Sequence, residues 1–212
     1  GFEPVYSFGH YSTTNKGRSQ QQKNVFLQIH ASGLTTPLEL SDDHMVFILQ
    51  ENNIQRRKAI AANKINVGDT LILVNDNNNN ESDEDETTTV VTKITTISRY
   101  DGAFAPFTSS GTIVVNNILA SNYVSLMNDD GDTTTPWWMQ SVAHGAVWFR
   151  RLYCGNNGCL EETYDTKDGI ADWVRIPLSV GKFIADKKNN STIVTALLLI
   201  AAATTFTTKN MS

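Results

Sequence analysis

Between residues 4 and 123 the apolar positions come in short runs of Val, Ile, Thr, Tyr and Phe cut by turn residues, and no stretch sustains a 3.6-residue period. This pattern predicts strands at 5–8 (VYSF), 25–31 (VFLQIHA), 37–41 (PLELS), 44–49 (HMVFIL), 69–74 (DTLILV), 87–100 (TTTVVTKITTISRY) and 112–126 (TIVVNNILASNYVSL). Strands so closely spaced suit a compact, folded-over all-β module; parallel βαβ units would need a helix between each pair.

After residue 130 the chain changes character. Trp137, Trp138, Trp148 and Trp173 fall close together beside Arg150, Arg151 and Tyr153, which predicts a separate layer, helical around 140–152. These aromatics serve either as the core of that layer or as a binding or lipid-facing surface. Residues 189–208 hold no charge and are bounded by Lys187, Lys188 and Lys209. Their length allows a membrane span, while the short apolar centre at 193–206 equally fits a buried helix or a lipid-anchor signal. The organisation expected is therefore a β module at 1–127, a Trp-rich extension at 128–188 and a transmembrane or anchor segment at 189–208.

Composition narrows the function classes. The chain has 212 residues, 40% of them apolar, so it can bury a core without covalent staples. Six of its 22 acidic residues fall at 75–86, and the remaining 16 balance 17 basic ones, which argues against a nucleic-acid partner. That acidic, Asn-rich segment has no apolar residue and reads as a flexible hairpin tip; a weak calcium patch is the alternative, without the Gly and Glu placement of an EF-hand loop. Cys154 and Cys159 lack further ligands at zinc spacing, leaving a small local disulfide or two free thiols. Sequons begin at Asn80, Asn189 and Asn190 and are compatible with secretion.

Proton-transfer chemistry near neutral pH usually draws on His, and there are four: His10, His30, His44 and His144. His44 follows Ser41-Asp42-Asp43 and opens an apolar run, so Ser41 and His44 can face one pocket across a tight turn. By spacing alone the same residues fit an ordinary turn, with Ser41 or Asp42 as its cap. His10 follows Gly9, a residue that suits close backbone approach or a bulge. His30 and His144 have plain accounts as strand and helix residues. No G-x-S-x-G, P-loop or H-E-x-x-H sequence is present, and the reading calls for no cofactor or metal.

Four segments in order carry a resemblance: Val5-Tyr6-Ser7-Phe8-Gly9-His10; Leu38-Glu39-Leu40-Ser41-Asp42-Asp43-His44-Met45-Val46-Phe47; Ile65-Asn66-Val67-Gly68-Asp69; and GAFAPFTSSGTIVVNNILASNY at 102–123. Together they resemble the Hedgehog-type autoprocessing domain of the Hint superfamily shared with inteins. The long last block separates a Hedgehog-like domain from an ordinary intein. The resemblance covers about 3–126, and more weakly 143–152. It implies an all-β, flattened horseshoe with two halves related by a pseudo-two-fold axis.

The resemblance also implies a reaction. A Cys at the start of such a domain attacks the preceding carbonyl to give a thioester, and a sterol hydroxyl, water or a thiol then resolves it. The family's T-x-x-H motif falls on Ser41 and His44, the His protonating the leaving nitrogen and the hydroxyl holding the bent peptide. Ser for Thr keeps the hydroxyl and loses the methyl that restricts its rotamers. A family Asp that serves as base toward the acceptor has His10 as its nearest match, and the family's Ala-Ser-Cys-Tyr reads Ala120-Ser121-Asn122-Tyr123 here. No Cys precedes Cys154, so the expectation is a chain truncated at its N-terminus, with its own upstream polypeptide as substrate and a place in the secretory pathway, extracellular or at a membrane. The alternative is a non-catalytic Hint-like scaffold acting as a secreted or membrane-tethered interaction module.

Overall fold

A computed structural model describes residues 3–12, 24–50, 53–74, 87–100, 102–125, 139–154, 159, 163–165 and 169–186. Ten strands come first: β1 (Val5–Ser12), β2 (Asn24–Ala31), β3 (Leu38–Leu40), β4 (His44–Gln50), β5 (Asn53–Ala61), β6 (Thr70–Ile72), β7 (Thr88–Arg99), β8 (Ala103–Thr108), β9 (Thr112–Val115) and β10 (Ile118–Val124). Three helices follow: α1 (Met139–Ala146), α2 (Trp148–Cys154) and α3 (Asp172–Asp186). The described strand pairings are all antiparallel. One curled sheet runs β3-β2-β7-β6-β4-β10-β9 with β5 beside β4, and β1 pairs with β8 as a separate ribbon.

The run at β4 is continuously apolar because the strand is buried on both faces. Met45 and Phe47 enter one core with Tyr6, Ile72, Phe107, Leu119 and Tyr123, while Val46 enters a second with Ile29, Leu38, Ile60, Leu71 and Ile118. Each such side chain contributes about 1.5–3 kcal/mol on leaving water. The two cores hold β4 and β10 side by side, and the candidate site lies where they meet.

Four departures from the predicted strands have local causes. The single strand expected at 112–126 is a hairpin, because Asn116 and Asn117 both take positive φ (50° and 66°) and pair Val115 with Ile118 across a two-residue turn. β5 was hidden by its basic centre, Gln55 to Lys58, and β8 by Pro106, which a two-stranded ribbon tolerates. β1 runs on through Gly9, where a side chain would strike the Phe107 ring.

The helices pack on the first core through Met139, Val147, Cys154 and Trp173. α1 and α2 coincide with the helix expected around 140–152. α3 was not anticipated, since Pro177 inside it cannot donate to the preceding turn. Trp137 and Trp138, the segment 75–86, and residues 189–208 lie outside the described residues. No described helix is long and apolar enough to cross a membrane.

Candidate active site

The turn before β4 is tightly tied. His44 N–H donates to Ser41 O at 3.2 Å, Asn63 N–H to Asp42 O at 2.8 Å, and Ser125 N–H to Asp43 O at 2.7 Å. The Ser41 hydroxyl donates to Asp43 Oδ1 at 2.6 Å, so its oxygen is polarised by a carboxylate and keeps lone pairs for a further donor. The structure thus brings Ser41 and His44 together, with Asp43, which sequence reasoning did not single out.

His44 Nε2 lies 2.7 Å from Ser121 O on β10. A carbonyl only accepts, so Nε2 carries the proton of the neutral ring, and Nδ1 is the nitrogen with the free lone pair. Burial pushes the imidazole below its ordinary pKa, opposed by the bond to Ser121 and the charge of Asp43. The site therefore holds a neutral imidazole of defined tautomer, able to exchange a proton at Nδ1.

Behind Ser121 lies a network the sequence did not reveal. The Ser121 hydroxyl donates to Gln140 Oε1 and accepts from Tyr123 N–H at 2.9 Å, and Gln140 Nε2 donates to Gly111 O at 3.0 Å. Arg151 Nη1, which can only donate, meets His144 Nε2 at 2.5 Å and Ser109 O at 2.9 Å. His144 therefore carries its proton on Nδ1 and gives it to the Tyr123 hydroxyl at 2.8 Å. Burial first, then the Arg151 charge, hold His144 below its ordinary pKa, and burial pushes the Tyr123 phenol well above its own. Gly111, with φ +75°, admits this ring, since a Cβ there would fall 2.4 Å from His144 Nδ1. Ser121 and Tyr123 stood inside the recognised block, but Gln140 had no sequence signal.

Asn122, at the family's Cys position, donates from Nδ2 to Thr108 Oγ1 at 3.0 Å, while its buried Oδ1 has no hydrogen-bond partner among the described residues. Thr108 spends its own proton on Thr112 O at 2.7 Å, which fixes the amide's orientation.

His10 stands apart from this cluster. It lies on the ribbon, its Nδ1 2.9 Å from Ala103 O, with a backbone bridge to Ile170. Beside it Tyr11 stacks edgewise on Phe104 and against Tyr164, and Tyr11 and Phe104 are exposed. His30 sits on β2 within 3.5 Å of Thr95 Oγ1, an ordinary strand position. Cys154 and Cys159 are joined in a disulfide with Cα atoms 5.0 Å apart.

The curled antiparallel sheet thus carries the Ser-x-x-His turn next to β10. A family model described as "Hint module" matches residues 6–186, and the chain belongs to that family. Among curated proteins it is 32% identical over 106 residues to the Tiggy-winkle hedgehog protein of Danio rerio, covering 50% of this chain and 24% of that one. It is 29% identical over 138 residues to the Sonic hedgehog protein of Danio rerio, covering 64% and 29%. The chain thus spans about a quarter of the length of these relatives. Solved structures similar to it include a transcription factor IIB Mvu mini-intein (TM-score 0.38, 16% identity, 46% of this chain and 56% of that one). A Pab PolII intein follows (TM-score 0.36, 12% identity, 46% and 60%).

Proposed function

We propose that this chain is the autoprocessing part of a longer polypeptide, cleaving the peptide bond at its own upstream junction through a Cys thioester. The observation that supports this best is the bond from His44 Nε2 to Ser121 O, which leaves Nδ1 as the nitrogen offered to a scissile amide. The two Cys of this chain are paired with each other, so the attacking thiol belongs to polypeptide N-terminal to Gly1.

As the thiol sulfur bonds to the preceding carbonyl carbon its proton passes to the free lone pair of His44 Nδ1, and the carbon–nitrogen bond breaks as Nδ1 hands that proton to the leaving nitrogen. The Ser41 oxygen accepts an N–H of the bent peptide, held by its bond to Asp43. An acceptor hydroxyl, from water or a sterol, or a thiol, then attacks the thioester and the carbon–sulfur bond breaks. His10 is the base we assign to that acceptor, and the exposed Tyr11 and Phe104 rings offer a flat apolar acceptor a surface beside it. The disulfide and the hedgehog relatives support a secretory setting for the parent protein.

The test is the mass of the upstream fragment released from a longer chain in dithiothreitol. A dithiothreitol thioester on its C-terminus is expected, and a plain acid formed at a thiol-independent rate would refute the thioester.

A further inference from the structure

The α1 helix lies after the β strands in sequence, yet its Gln140 side chain bonds the residue that holds His44. Ser121 is fully buried, and its carbonyl takes the Nε2 proton of His44. Its hydroxyl is taken by Gln140 Oε1, and the other end of the same amide donates to Gly111 O at 3.0 Å. Gly111 O also accepts Asn122 N–H at 3.0 Å, so one carboxamide ties the β8–β9 turn to β10 on both sides of Ser121. Four positions on, His144 packs against Gly111 and bonds Tyr123.

We propose that Gln140 is a positioning residue: by holding the Ser121 hydroxyl and Gly111 O together it fixes the peptide whose carbonyl sets the tautomer of His44. Only a carboxamide does this, because it accepts from the hydroxyl at one end and donates to the carbonyl at the other. A Met of similar length fills the space and does neither. Small displacements of a proton-transfer group cost rate steeply, so the helix governs the competence of His44 without touching a reacting atom. The consequence for cleavage rests on the autoprocessing reading; the link from Gln140 to His44 does not.

Two readouts separate the two. In the 212-residue chain, nitrogen NMR of the His44 ring reports the tautomer and the exchange of Nε2–H for wild type, Gln140→Met and Ser121→Ala. Loss of the single Nε2–H form and faster exchange in both variants are expected. In the longer chain each variant should cleave about tenfold or more slowly. The double variant should be no slower than the slower single, since both break one linkage. An unchanged His44 spectrum, or additive losses, would overturn the proposal. Should His44→Ala cleave like wild type, the autoprocessing reading fails and the NMR alone decides the linkage. Should Gln140→Met not fold, Ser121→Ala decides by the same two readouts.

Discussion

His44 and Ser121, 77 residues apart in sequence, are joined at 2.7 Å by a hydrogen bond from imidazole to main-chain carbonyl. Pairing of β4 with β10, with Val46 opposite Ala120, makes that meeting possible, and the two cores on either face of β4 keep it in place. A side chain that must move a proton at one nitrogen is thereby anchored by the other.

The depressed pKa values of His44 and His144 give a pH dependence with a definite sign. Above about pH 6.5, the ordinary value, both rings are neutral whether folded or unfolded, and their contribution is flat. Below it the unfolded chain binds protons that the folded chain refuses, so stability falls as pH drops from there toward the folded-state values. Urea titrations between pH 8 and about pH 5 should show this loss. The slope should diminish in His144→Gln, and an equal slope in that variant would contradict the assignment.

Asn122 bears a buried carbonyl without a partner among the described residues, a group that costs about 1–3 kcal/mol. Replacing it with the family's Cys removes that oxygen and forfeits one hydrogen bond to Thr108, worth about 0.5–1.5 kcal/mol. Asn122→Cys is expected to raise Tm by about 2–4 °C, read by calorimetry. A lower Tm would mean that the orphaned oxygen has a partner in the folded protein.

The Cys154–Cys159 bridge closes a short loop at the end of α2. Loop entropy gives such a bridge about 2 kcal/mol, so Cys154→Ser with Cys159→Ser should lower unfolding free energy by about that amount. The double variant also separates two effects of dithiothreitol in cleavage assays, reduction of this bridge and attack on the thioester. Thiol acceleration should persist in it.

Much of the fold was legible because strand runs, turn residues and the β4 apolar run are local features. The Ser41–His44 turn was legible for the same reason, helped by the resemblance of its motif. The Asn116–Asn117 turn was missed because two Asn inside an apolar run read as polar positions of one strand, while the chain uses their tolerance of positive φ. Gln140 was missed, and His144 was listed but read as a plain helix residue, because their role depends on where α1 docks: neither signals a network until Gly111 and Ser121 lie beneath it.

The most direct test extends the chain upstream to include the junction Cys and compares wild type with His44→Gln on a denaturing gel. Gln at this position retains an N–H for Ser121 O and has no proton to move, so the variant should stay folded and lose cleavage by at least about 100-fold. Cleavage of folded His44→Gln at the wild-type rate would contradict the account.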